Sequence, residues 1–99
     1  DRAGTLVRFG ITPTRAASII LVDAAGKPLP VGSTVRVRGH HDAPALLGFD
    51  GVVYLDTLDV RNVLDVDTPA DTCHVTFDYH KQGDGIPQIG PLTCREEQP

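Results

Sequence analysis

The sequence has no tryptophan and no methionine, and only five of its 99 residues are aromatic. A core built from it must rely on Val, Leu, Ile and Ala, and a high share of β-branched side chains favours sheets. An excess of positive charge is absent too, since nine basic and thirteen acidic residues give a net charge of −4. Proteins that bind phosphate backbones normally carry the opposite balance. We therefore predict an all-β protein that does not bind nucleic acid.

Long apolar runs are also missing. No segment reaches the roughly 20 apolar residues that a membrane-spanning helix needs, and no signal-peptide pattern opens the chain. A length of 99 residues suits one domain with a single core. The chain begins at Asp1 and at once has the pattern of folded sequence. We therefore expect a single domain over residues 1–99 that does not span the membrane and forms part of a longer polypeptide.

Short apolar segments separated by turn residues predict strands. The segment Asp50-Gly51 lies between two apolar runs and is a strong hairpin signal, because a type I′ turn needs positive φ at both central residues. We predict that residues 46–49 pair with residues 52–56 across this turn. Further strands are predicted at 5–11, 17–22, 34–38, 58–66, 73–80 and 89–94. The pattern predicts a β-sandwich of about seven short strands, transthyretin-like or immunoglobulin-like, with a frayed tail at 94–99.

Cys73 and Cys94 are the only cysteines, and neither belongs to a metal-binding spacing. The pair favours one disulfide, and two independent buried thiols are the alternative. Closing this loop stabilises the fold by about 3 kcal/mol in the chain-entropy model. A disulfide also implies an oxidising compartment, either periplasmic or extracellular.

Residues with catalytic or ligand-binding chemistry are present but form no motif. The four histidines lack the spacing that directs two imidazoles at one ion, so we expect no metal site. The aspartates do not fall into a calcium-loop frame, and the glycines form no phosphate-binding loop. The two serines lie in no nucleophile elbow. We therefore expect no catalytic residue, no cofactor and no enzymatic activity.

Three features of the chain occur together in one protein family. Residues 26–35 read GKPLPVGSTV, residues 50–58 read DGVVYLDTL, and Cys73 and Cys94 follow. In this order and spacing they resemble the C-terminal periplasmic domain of outer-membrane fimbrial ushers, in which a Gly-x-Pro-Leu-Pro-Phe-Gly segment and a Gly-x-Val-Tyr-Leu-x-Gly-Leu segment precede a cysteine pair. Val31 stands where that family commonly has Phe, and Thr57 where it commonly has Gly. The resemblance spans nearly the whole chain.

The resemblance implies a protein-binding module of a fimbrial usher. Such a module holds complexes of a periplasmic chaperone and a pilus subunit at the periplasmic side of the outer-membrane pore during pilus assembly and secretion. The implied partners are these complexes, the usher's own barrel and the neighbouring periplasmic domains, and no cofactor is implied. Because the first segment also looks like transthyretin-like domains, the alternative is a structural or carbohydrate-contacting β-sandwich of another secreted protein.

An apolar excess suggests where an usher domain of this kind contacts its partners. Residues 46–47 and 52–55 are apolar on both strand faces, whereas a two-sheet core needs only one apolar face, so another layer or a partner covers the second. Aromatic, aliphatic and arginine side chains are the usual anchors of interfaces. On these grounds the predicted contacts are Leu46, Leu47, Tyr54, Arg36 and Arg38.

Overall fold

The computed structural model describes residues 15–80, 83 and 85–96. The strand predicted at 5–11 lies outside these residues. The described residues contain eight strands and a short 3-10 turn at Phe49–Gly51. The strands are β1 (Ala17–Val22), β2 (Thr34–Val37), β3 (Ala45–Leu46), β4 (Val52–Leu55), β5 (Arg61–Asp67), β6 (Thr72–Asp78), β7 (Gln88–Thr93) and β8 (Arg95–Glu96).

These strands form two sheets. The smaller has the order β4-β1-β7 and the larger the order β3-β2-β5-β6-β8. Strand β1 pairs antiparallel with β4 and parallel with β7, whereas all pairs of the larger sheet are antiparallel. The predicted class, a single small β-sandwich, is confirmed, and the strands predicted at 17–22, 34–38, 73–80 and 89–94 are present to within two residues at each end.

The core lies between the two sheets because apolar and polar residues alternate along their strands. In β2, Val35 and Val37 are buried while Arg36 is exposed, and β6 buries Cys73, Val75 and Phe77 in the same way. Burying one Val, Leu or Phe side chain contributes about 1.5–3 kcal/mol. The largest fully buried apolar side chains are Ile19, Leu21, Leu47, Leu64, Val35, Val53 and Val66.

A disulfide closes one lateral edge of the sandwich, as predicted. Cys73 lies in the larger sheet and Cys94 directly follows β7 of the smaller sheet, with an S–S distance of 2.03 Å and a Cα–Cα distance of 5.5 Å. The sequence predicts a frayed tail over residues 94–99, of which the structure describes residues 94–96. Cys94 is buried, and Arg95 and Glu96 pair with His74 and Cys73 as strand β8. Residues 97–99 lie outside the described residues.

At the opposite lateral edge the chain crosses from one sheet to the other, and the predicted hairpin pairing is wrong. Asp50 and Gly51 do have positive φ, 59° and 73°, but Leu46 pairs with Thr34 of the larger sheet while β4 pairs with β1 of the smaller one. The backbone N–H of Gly48 donates to the carbonyl of Val52 at 2.8 Å, where the two arms still meet. The arms diverge because the crossing buries the intervening Leu47 in the core.

Gly51 is required at this crossing. A Cβ at this position would collide with the backbone carbonyl oxygen of Leu21 and lie 3.3 Å from the Cβ of Pro28. The missing side chain therefore lets the turn pack directly on the end of β1, and positive φ adds a second reason for glycine.

Candidate functional site

Large apolar side chains are exposed at two places on the described part of the surface. Their exposed fractions are 56% for Val31, 70% for Leu46, 82% for Phe49, 50% for Tyr54, 60% for Val60 and 60% for Ile86. The first three belong to the edge where the chain changes sheets, and we name Val31, Leu46 and Phe49 the corner cluster. Tyr54 lies farther along this edge, on strand β4. Val60 and Ile86 lie at the opposite end of the sandwich, before β5 and β7.

Backbone hydrogen bonds hold the corner cluster in place. The N–H of Gly32 donates to the carbonyl of Leu47 at 2.9 Å, and the N–H of Leu47 donates to the carbonyl of Ser33 at 2.8 Å. These bonds continue the β2–β3 register beyond the two strands. Val31, which precedes Gly32, is thereby brought to the same end of this edge as Phe49.

The proline-rich segment explains why Val31 points outward. Leu29 is buried in the core, and its N–H donates to the carbonyl of Leu21 at 3.1 Å. The hydroxyl of Ser33 donates to the carbonyl of Pro30 at 2.8 Å, which closes a turn around Val31. Prolines on both sides of Leu29 restrict φ there. Leu29 therefore anchors the segment, and Val31 lies at the tip of the turn.

The five predicted contact residues differ in exposure and in the sheet to which they belong. Leu46 and Tyr54 are exposed, but Leu47 is 1% exposed and belongs to the core. The prediction that Leu47 contacts a partner is therefore corrected. Side chains alternate along a strand, so Leu47 faces inward because Leu46 faces outward. Leu46 and Tyr54 lie on different sheets, and the five predicted residues do not form one surface.

Arg36 and Arg38 lie on the outer face of the larger sheet, on the same face as Leu46. The Nη2 atom of Arg38 lies 2.6 Å from Oδ1 of Asp65, and its Nε donates to Oδ2 at 3.0 Å. This hydrogen-bonded pair holds the pKa of Asp65 below its usual value. Arg36 donates from Nη1 to the carbonyl of Asp42 at 3.3 Å. Arg38 is thus engaged within the domain, in an exposed pair of the kind that contributes about 0–1 kcal/mol.

Sequence reasoning missed Phe49 and Val31. The sequence pattern predicts that Phe49 lies in a paired strand, yet it directly precedes the Asp50-Gly51 turn and is the most exposed large apolar residue described. Val31 lies between Pro30 and Gly32 in the sequence. The signal available was an apolar residue next to turn-forming residues, outside any alternating strand pattern.

His40 fastens the loop that joins β2 to β3. Its Nε2 atom lies 2.8 Å from Oδ2 of Asp59, and its Nδ1 atom lies 3.8 Å from Oδ2 of Asp42. The hydrogen bond to Asp59 is the main reason why the pKa of His40 is raised above its ordinary value of 6.5, and the negative charges of Asp59 and Asp42 act in the same direction. This loop lies away from the corner cluster, at the far end of β2.

Two acidic side chains lie beside the corner cluster. Asp50 is the direct neighbour of Phe49, and Asp67 stands opposite Thr34, which in turn stands opposite Leu46. Farther along the same end of the sandwich, a hydrogen bond with Asp71 and its negative charge raise the pKa of Glu96. The cluster is therefore apolar in its centre and acidic at its margin.

Within residues 15–80, 83 and 85–96, no three His, Cys, Asp or Glu side chains are grouped so that they could hold a metal ion. No helix in this part of the chain is long and apolar enough to cross a membrane. The arrangement at the corner is suited to contact with another molecule through apolar surface.

Comparison with known proteins identifies the family. The family model described as the PapC C-terminal domain matches residues 18–81. The fold is similar to a solved Caf1A usher C-terminal domain, with a TM-score of 0.67 and 20% sequence identity over 82% of this chain and 99% of that chain. That structure comes from a study in which conserved hydrophobic clusters on the surface of the Caf1A domain are important for F1 antigen assembly. No curated protein sequence matches the chain. The chain belongs to the family of PapC C-terminal domains, the usher C-terminal domains that act in pilus assembly and are not enzymes.

Proposed function

We propose that this domain binds complexes of a periplasmic chaperone and a pilus subunit, and that the corner cluster is the centre of the binding surface. In this proposal it holds these complexes at the periplasmic side of the outer-membrane pore until the next subunit is added. The observation that carries the proposal is the exposure of Phe49, 82%, beside Leu46, 70%, on one edge of the sandwich.

The free energy gained by covering these exposed apolar side chains supports a role in binding. Covering a Phe or Leu side chain with a partner contributes about 1.5–3 kcal/mol when burial is complete. Interfaces gain most of their affinity from a few such residues at their centre, surrounded by a polar rim. The corner cluster, with its acidic margin, has this composition. A surface of three side chains suits weak, reversible binding, which a binding site used repeatedly during assembly requires.

Two further observations support this function. The hydrophobic clusters described for the Caf1A usher domain are surface features important for assembly of its antigen, and the corner cluster is a comparable feature here. The disulfide between Cys73 and Cys94 suits an oxidising compartment such as the periplasm. The usher's own barrel and neighbouring periplasmic domains are further contacts in this proposal, and no cofactor or nucleotide takes part.

The test replaces Phe49 by alanine and measures binding of the chaperone–subunit complex encoded with the parent usher. Losing about 2 kcal/mol of contact raises the Kd roughly 30-fold. Val60→Ala is the matched control, because Val60 is 60% exposed but lies at the opposite end of the sandwich. Neither change removes a core contact, so both variants should unfold at the midpoint of the unchanged domain. In cells, Phe49→Ala in the whole usher should reduce the number of assembled pili.

Equal Kd values for Phe49→Ala, Val60→Ala and the unchanged domain would remove the corner cluster from the binding surface. Absence of any binding by the unchanged domain, together with normal piliation when the domain is deleted from the usher, would refute the proposed function.

A further inference from the structure

We infer that the partner surface that covers the corner cluster is basic: it presents Lys or Arg side chains around an apolar centre, and Asp50 and Asp67 guide it into place. This inference rests on the proposed function and adds the chemistry of the partner. A carboxylate lies on each side of the cluster, and their position is set by the fold.

Asp50 lies between Phe49 and Gly51 in the turn and is exposed. Asp67 is the last residue of β5 and is also exposed. Leu46, Thr34 and Asp67 are successive residues across three neighbouring strands, so Leu46 and Asp67 are about 10 Å apart at the usual strand spacing. A partner that touches both Phe49 and Leu46 therefore meets a carboxylate at each margin of the contact.

No basic side chain of the described residues neutralises these two carboxylates. Neither forms an ion pair within the described part of the chain, whereas Asp65, two residues before Asp67, is bound by Arg38. Most of the charged residues described at this end of the sandwich are acidic. Its described charged residues are Asp23, Asp50, Asp67, Asp71 and Glu96 against Lys27 and Arg95, and Arg36 lies two residues farther along β2 from Thr34, where Asp65 stands opposite it. Glu96 and Asp71 are neighbours at this end, where a hydrogen bond with Asp71, and then its negative charge, raises the pKa of Glu96.

The charge distribution decides between possible occupants of the corner cluster. A second copy of this chain would bring the same acidic margin onto itself, and like charges across an interface are unfavourable. An acidic partner would meet the same repulsion. A basic partner instead gains complementary contacts at the rim, where charges mainly increase the rate of association.

The test measures association and dissociation rates of the 99-residue chain with the chaperone–subunit complex encoded with its usher. Salt is varied between about 0.1 M and 1 M, which shortens the screening length from about 10 Å to 3 Å. The variants are Asp50→Asn and Asp67→Asn, and asparagine tolerates the positive φ of 59° at residue 50. Asp56→Asn is the matched control, because it removes the same charge at the other end of β4, about 13 Å from Val52.

We expect the association rate to fall as the salt concentration rises. At about 0.1 M salt, Asp50→Asn and Asp67→Asn should each lower it roughly threefold and flatten its salt dependence, with little change in the dissociation rate. Asp56→Asn should change it much less. Phe49→Ala should act mainly on dissociation, which separates the apolar centre from the acidic rim.

A salt-independent association rate, or equal effects of all three Asp→Asn variants, would overturn the inference. If Phe49→Ala still weakened binding in that case, the proposed function would stand alone. A dimer of the chain that dissociates in Phe49→Ala would identify a second copy as the occupant and would also overturn it. If the unchanged chain did not bind the complex at all, the proposed function and this inference would both be refuted.

Discussion

Reducing the disulfide between Cys73 and Cys94 should destabilise the domain by a predictable amount. The bridge joins residues 21 apart in sequence, and the loop-closure entropy for this length is worth about 3 kcal/mol at 25 °C. For a domain of this size the loss should lower the Tm by about 12–24 °C. It should move the urea midpoint by about 1–3 M. The effect is large beside the total stability of about 5–15 kcal/mol that is usual for a single domain.

The measurement compares urea unfolding of the oxidised domain, the reduced domain and the double variant Cys73→Ala/Cys94→Ala. Reduction keeps both sulfur atoms and isolates the effect of the cross-link. The alanine variant also removes two buried side chains, exposed by 7% and 6%, and should be less stable than the reduced protein. Coincident unfolding midpoints for the oxidised and reduced domains would refute the reasoning, because both sheets would then be held together without the bridge.

Two further predictions concern a turn and a loop. Gly51→Ala should lower the free energy of unfolding, measured in urea, by more than about 1 kcal/mol, because the added Cβ meets backbone atoms. Gly26 has a similar φ but open space around it, so Gly26→Ala should lower this free energy less. Equal losses would contradict the close packing at Gly51. The raised pKa of His40 means that its contribution to stability is present below pH 6.5 and is lost as the pH rises through the higher folded value. An NMR titration should show this pKa falling toward 6.5 in Asp59→Asn, and an unchanged titration curve would exclude the His40–Asp59 bond as its cause.

Local patterns were sufficient for most strands. The alternation in residues 34–38 and 73–80 reflects one buried and one exposed face, which is decided by the strand itself. The disulfide was predictable because only two cysteines exist. The proline-containing segment that carries Leu29 and Val31 was recognisable, but its role required the structure. Leu29 is buried and Val31 is exposed, and only the packing on β1 distinguishes these two apolar neighbours.

The crossing between the sheets was not predictable from local signals. The Asp50-Gly51 turn has the positive φ values that the sequence indicates, but turn chemistry does not specify whether the arms continue to pair. Burial of Leu47 separates them, and that depends on residues distant in sequence. The parallel pairing of β7 with β1 is equally remote, since Ile19 stands beside Ile89. The exposed Phe49 was therefore misplaced, and with it the centre of the candidate site.

The backbone on both sides of Phe49 is already fastened before any partner arrives. Gly48 is hydrogen-bonded to Val52, and Leu47 is hydrogen-bonded to both Gly32 and Ser33, so the aromatic ring projects from backbone that is already held in place. Beyond the translational and rotational entropy that any association loses, ordering at this site then costs the rotamer freedom of a few side chains, about 0.5–1.5 kcal/mol for each one immobilised. In the proposed function, a small surface held in this way would let the domain release each chaperone–subunit complex once its subunit has been added.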